Sequence, residues 1–130
     1  MIGTLVVTHG NVAESLVGVS TKIIGPCNHV GYFCVGWEDD METAKVSLGK
    51  KIEQFDSGQG VLILTDMFGG TPTNISLTFH RPNQIEIITG VNLPMIMKAM
   101  TLPSGIRVSD AAQQLKQQAK KAIYIASELL

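Results

Sequence analysis

A chain of 130 residues, 45% of them hydrophobic and 16% charged, suits one compact domain and excludes a disordered segment or a coiled coil. Its formal net charge of −1 removes the electrostatic argument for nucleic acid or an anionic membrane as partner. No apolar run reaches the length of a membrane span, and the opening MIGTLVVTHG is too short and polar-ended for a signal peptide, so a cytoplasmic location is expected.

Gly3 to Thr8 is a run rich in Leu and Val, short enough for a buried strand. His9-Gly10-Asn11 interrupts it, and an amphipathic helix is predicted from Val12 to about Ile24, stopped by Gly25-Pro26. Val30 to Val35 reads as a second strand. In Asp39-Asp40-Met41-Glu42 an Asp is followed three residues later by Glu, the capping-box spacing, which opens a helix to about Phe55. After the turn cluster Asp56-Ser57-Gly58-Gln59-Gly60, Val61 to Thr65 is the clearest buried strand, ending at Asp66. In the loop Met67-Phe68-Gly69-Gly70-Thr71-Pro72, Thr71 is the expected N-cap and Pro72 the first residue of a helix reaching about Phe79. Gln84 to Thr89 gives a fourth strand and Leu93 to Met100 a further helix, and Ser109-Asp110 caps a last helix to about Lys120. The tail from Ala122 to Ser127 reads either way: its β-branched and aromatic residues suit a strand, its neighbours a helix.

Strands alternating with helices imply parallel strands joined by right-handed crossovers, with helices on both faces. The expected fold is therefore α/β, an open three-layer α/β/α sandwich in a single domain, residues 1–130. Ligands of such sheets bind beyond the carboxyl ends of the strands, where the strand order reverses. With the order 2-1-3-4, the first and third strands are neighbours. His9, Asp66 and the glycine loop then meet in one crevice.

A neutral imidazole is a good nucleophile toward phosphorus near neutral pH. One ring nitrogen attacks only if the other holds the proton, and a carboxylate accepting that N–H fixes the tautomer. His9 is thus the candidate nucleophile and Asp66 its orienting group. Gly69 and Gly70 let backbone N–H groups approach a phosphate, the following helix points its positive end there, and Thr71 adds a hydroxyl donor. This chemistry needs no cofactor and no metal, because backbone dipoles can stabilise the developing oxygen charge. Each feature also has a structural reading on its own: a hydrogen-bonded histidine, a strand-end aspartate, an ordinary loop entering a helix. Their joint placement at two neighbouring strand ends points to a phosphate site.

The remaining reactive residues lack such a setting. Cys27 and Cys34 read as reduced structural thiols, too few for a metal site. His29 reads as a solvated loop residue, His80 as a helix-end cation, and Met95, Met97 and Met100 as packing residues. Trp37 reads as either a contact residue near the crevice or a packing residue.

Three segments, LVVTHG, VLILTDMFGGTPTN and ITGVNLPM, occur in that order across the chain. On these the sequence resembles the IIA domain of the mannose family of bacterial sugar phosphotransferase systems. The resemblance implies that His9 accepts a phosphoryl group from the phosphocarrier protein HPr and passes it to a IIB component. It implies that Asp66 hydrogen-bonds His9, that the loop at Gly70 and Thr71 holds the phosphoryl group, and that the strand order is 2-1-3-4. It further implies a homodimer in which a C-terminal strand, here Ala122 to Ser127, crosses to the partner's sheet and covers an open edge. As the chain ends at Leu130, the IIB acceptor is expected to be a separate protein. Some relatives act as phosphorylation-state regulators, and that role would use the same site. The phosphotransfer subunit of dihydroxyacetone kinase shares the fold and the early histidine, but GGTPTN and GVNLPM look more like the sugar-system branch.

Two rivals fit less well. A response-regulator receiver has an aspartate after its third strand, yet it needs an acidic cluster after the first strand, where Thr8-His9-Gly10 stands, and a lysine after a fifth. A flavodoxin-like module would carry a Ser- and Thr-rich loop in place of His9-Gly10-Asn11.

Overall fold

The computed structural model describes all of the chain, Met1 to Leu130. Four strands alternate with the first four of five helices: β1 (Gly3–His9), α1 (Val12–Ile24), β2 (Val30–Val35), α2 (Met41–Phe55), β3 (Val61–Thr65), α3 (Thr71–Leu77), β4 (Ile85–Thr89), α4 (Leu93–Met100) and α5 (Val108–Lys121). All strand pairs are parallel, in the order β2-β1-β3-β4. The sheet order is as expected, and β1 and β3 are the central pair, with Val7 opposite Thr65.

Alternate residues of each strand feed two separate cores. Val6, Leu62 and Leu64 pack with Val17 of α1, Met95 and Ala99 of α4, and Ala111 and Leu115 of α5. Leu5, Val7, Val61 and Ile63 pack on the other face with Leu48 and Ile52 of α2 and Ile75 of α3. Burial on both faces is why these strands read as unbroken apolar runs rather than as alternating ones. The two cores make the fold the three-layer sandwich anticipated above. No helix is long and apolar enough to cross a membrane.

Several boundaries differ from expectation by one or two residues, because the residue at the cap is not the one the sequence singled out. α2 is capped by Asp40, which accepts from the Thr43 amide at 3.0 Å and its hydroxyl at 2.9 Å, while Asp39 accepts instead from the Gly36 amide. The cap of α3 is Gly70, so Thr71 is already helical. α5 starts at Val108, and the Ser109 amide is taken by the side chain of Asn83, distant in sequence. Asn11 makes no side-chain cap for α1; Thr8, inside the strand, accepts the Ala13 amide at 2.7 Å. Within the single chain, residues 122–125 are irregular and Ala126–Leu129 forms a 3-10 turn, so the tail adds no strand and β4 remains an edge.

Candidate active site

His9 is the last residue of β1 rather than the first beyond it, paired in register with Val35 of β2. Asp66 follows β3 directly. Because β1 and β3 are hydrogen-bonded neighbours, the two residues are brought together by the central pair of the sheet. One carboxylate oxygen, Asp66 Oδ2, accepts the His9 backbone amide at 3.0 Å and lies 2.8 Å from His9 Nδ1. The other, Oδ1, accepts the Met67 amide at 3.1 Å. Both side chains are about one-quarter exposed or less, 24% for His9 and 21% for Asp66.

Partial burial pushes the Asp66 carboxyl up, but the hydrogen bonds from the His9 ring and amide, with the ring's charge, outweigh it and hold the carboxyl below its ordinary value. Asp66 is therefore an anion near neutral pH. An anion can only accept, so Nδ1 carries the proton, and in the neutral ring the lone pair is then on Nε2.

The glycine loop meets the ring at the edge where that lone pair lies. A Cβ on Gly70 would sit 2.5 Å from His9 Cε1 and 2.9 Å from Nε2, so only glycine allows this approach. The amides of Gly70 and Thr71 have no acceptor within the chain, as expected at the start of a helix. Gly69 and Thr71 flank the contact without a hydrogen bond to His9 or Asp66. The loop itself is tied down from behind: Thr73 Oγ1 donates to the Met67 carbonyl at 2.6 Å and lies 2.7 Å from the Thr65 hydroxyl.

Beside the ring a crevice of about 480 Å³ is lined by His9, Gly10, Asn11, Val12, Trp37, Asp66 and Met67. Trp37 stacks on His9, with ring centroids 5.4 Å apart and planes 24° from parallel. Of the two readings open for Trp37 in the sequence, the structure gives the one at the crevice. No periodic signal marks that contact, because it joins the ends of β1 and the β2–α2 loop. Thr8, at the end of an apolar strand, and Thr73, in the first turn of α3, are likewise silent in sequence; each supports the site through its hydroxyl.

The other candidates lie elsewhere. His29 is half-buried rather than solvated, with Nδ1 3.2 Å from Cys27 Sγ and Nε2 3.4 Å from the Ala99 carbonyl. His80 is exposed, 3.5 Å from Glu86. Cys27 and Cys34 are free thiols, Met95 and Met100 are buried, and Met97 is half-buried. A larger cavity, about 620 Å³, opens between α1, α4 and the tail, but its lining, with Ile24, Met97, Lys121 and Tyr124, holds no acid, histidine or cysteine.

A parallel α/β sheet whose switch point holds an imidazole, paired to a carboxylate, beside a glycine loop has the groups that nucleophilic transfer requires. Comparison with known proteins narrows this to a family. The chain belongs to the EIIA-man family, described as the PTS system fructose IIA component, whose profile matches residues 3–120. It is 26% identical over 131 aligned residues to the PTS system fructose-specific EIIA component of Bacillus subtilis, covering 100% of this chain and 90% of that one. It is 30% identical over 100 residues to the mannose-specific EIIAB component of Escherichia coli, covering 76% of this chain but 31% of the relative. Among solved structures, a phosphotransferase system component EIIA from Streptococcus agalactiae superposes with a TM-score of 0.88 at 25% identity, over 98% of this chain and 99% of that one. Family membership gives the chain a phosphotransfer role within a sugar phosphotransferase system.

Proposed function

We propose that His9 accepts a phosphoryl group from HPr on Nε2 and passes it to a IIB component, as a cytoplasmic relay protein that needs no metal. The observation that carries this reading is the 2.8 Å contact between His9 Nδ1 and Asp66 Oδ2. It supports the reading because a carboxylate accepting from Nδ1 favours the neutral tautomer with its lone pair on Nε2, the proposed nucleophile. The Nε2 lone pair attacks phosphorus, the N–P bond forms, and the donor's bond to phosphorus breaks with its electron pair returning to the donor. Nδ1 keeps its proton, so the ring becomes cationic, and the Asp66 carboxylate stabilises that charge. The amides of Gly70 and Thr71 are the proposed donors to the phosphoryl oxygens, with the Thr71 hydroxyl and the turn at Gly69 completing the loop. Transfer onward reverses the sequence with IIB as acceptor.

A homodimer is part of this reading. Ile123, Tyr124 and Ile125 are consecutive, apolar in character and well exposed, and β4 has an open edge. Exposed apolar tails and open edges are both relieved by strand addition.

The test is intact-protein mass spectrometry after incubation with phosphoenolpyruvate, enzyme I and HPr, beside His9→Ala. One acid-labile phosphoryl adduct, absent from the variant, is the expected result. No adduct with a competent cognate donor removes the reading.

A further inference from the structure

Trp37, the chain's one tryptophan, is 81% exposed, an unusual place for the largest apolar side chain unless it serves something at the surface. Its position is held from two sides. β2 is in register with β1 up to the Val35–His9 pair, and the Gly10 amide donates to the Val35 carbonyl at 2.9 Å. Two residues on, a tight turn brackets Trp37 and Glu38: the Asp39 amide donates to the Gly36 carbonyl at 3.2 Å, and the Gly36 amide donates to Asp39 Oδ2 at 2.7 Å. The turn therefore projects the indole over the end of β1, where it stacks on the imidazole.

The His9 ring has two ways to lose its orientation. It can rotate about the Cβ–Cγ bond, breaking the Asp66 contact, or swing away from the loop about the Cα–Cβ bond. Asp66 opposes the first through a single hydrogen bond, and Gly70 limits the second from the Cε1–Nε2 edge alone. Trp37 stacks on the ring with centroids 5.4 Å apart, a place from which it can oppose both.

We propose that Trp37 is a positioning residue for His9, holding the imidazole with Nε2 presented to phosphorus, and that it is not merely a contact for a protein partner. The proposal rests on the phosphoryl-transfer reading above. The physical basis is twofold. Stacked aromatic pairs favour one offset geometry, and the ring that becomes cationic on phosphorylation faces the electron-rich surface of an indole.

The experiment compares wild type with Trp37→Ala and Trp37→Phe. Proton NMR of the His9 ring detects the stack itself, because indole ring current shifts the ring protons upfield. That shift is expected in wild type, lost in Trp37→Ala and partly kept in Trp37→Phe. Phosphorylation of His9 is then timed with two donors, phosphorylated HPr and potassium phosphoramidate. The latter is a small reagent that makes no protein interface; Nε2 attacks its phosphorus and the P–N bond breaks, ammonia leaving with the electron pair. A positioning role predicts that Trp37→Ala slows both reactions by about twofold to tenfold, the range expected for one aromatic pair, with rescue by Trp37→Phe. Slowing with HPr alone overturns the proposal and makes Trp37 a docking contact. Unchanged rates with both donors overturn it too, as does a wild type that phosphoramidate leaves unmodified at His9. Failure of HPr to phosphorylate wild type removes the relay reading instead, and the phosphoramidate comparison still decides the role of Trp37.

Discussion

A single oxygen, Asp66 Oδ2, receives both the backbone amide and the ring nitrogen of His9, at 3.0 and 2.8 Å. The carboxylate thus joins the end of β3 to both the main chain and the side chain at the end of β1. Its second oxygen is also used, by the Met67 amide. A group with every acceptor engaged in this way tolerates no donor in its place.

Asp66→Asn tests that directly. Whichever way the amide is turned, its NH2 faces an N–H donor, from His9 on one side or Met67 on the other. The variant also loses the charge that compensates a cationic ring. Transfer to His9 is expected to fall by about 100-fold, the low end of what a positioned acid–base group contributes, with a native circular dichroism spectrum. Wild-type rates in single-turnover phosphorylation exclude the orienting role.

The same carboxyl makes stability depend on pH. Its folded-state value lies below the ordinary one, so the unfolded chain binds this proton more readily than the folded protein does. The stabilisation is complete above the unfolded carboxyl value of about 4 and is lost as the pH falls through the lower folded value. Urea titrations from pH 6 down into the acid range should show the stability gap between wild type and Asp66→Asn narrowing below about pH 4. A gap constant with pH contradicts the assignment.

Two adjacent glycines should respond in opposite ways to alanine. Gly70 has an ordinary extended backbone, φ −89° and ψ 169°, but no room for a Cβ beside His9. Gly70→Ala should therefore block phosphorylation while changing stability by less than about 1 kcal/mol. Gly69 has open space around it and φ of 93°, a region disfavoured for residues with a Cβ. Gly69→Ala should cost about 1–2 kcal/mol and leave more of the transfer activity. Melting temperature and phosphorylation rate, measured on both variants, separate the two effects.

Thr73→Val removes the donor to the Met67 carbonyl and strands the buried Thr65 hydroxyl. A loss of about 1–3 kcal/mol is expected, the cost of an unpaired buried polar group. Denaturant unfolding measures it. Hydrogen exchange at the Met67 amide, which donates to Asp66 Oδ1, should quicken at the same time, because the loop loses its tether.

Much of this protein was legible before its structure. Strand runs bounded by glycine, proline and aspartate marked the four strands, because a sheet buried on both faces needs continuous apolar segments and stops where polar residues begin. The alternation of strands and helices implied a parallel sheet, and His9 and Asp66 stood out as polar residues at the ends of two such runs. Cap positions were less legible: Asp39 and Asp40 are chemically equivalent candidates, and only the path of the chain directs one to Gly36 and the other to Thr43.

What local sequence determines here is element type and the presence of the reactive groups, since both follow from short-range periodicity and residue chemistry. Tertiary structure decided the rest. The adjacency of β1 and β3 placed His9 within reach of one carboxylate oxygen. The return of the β2–α2 loop laid Trp37 on the imidazole, and the approach of the α3 loop gave Gly70 its contact with the ring edge. These are contacts between residues far apart along the chain, formed when the two faces of the sheet are buried. No spacing within a segment encodes them.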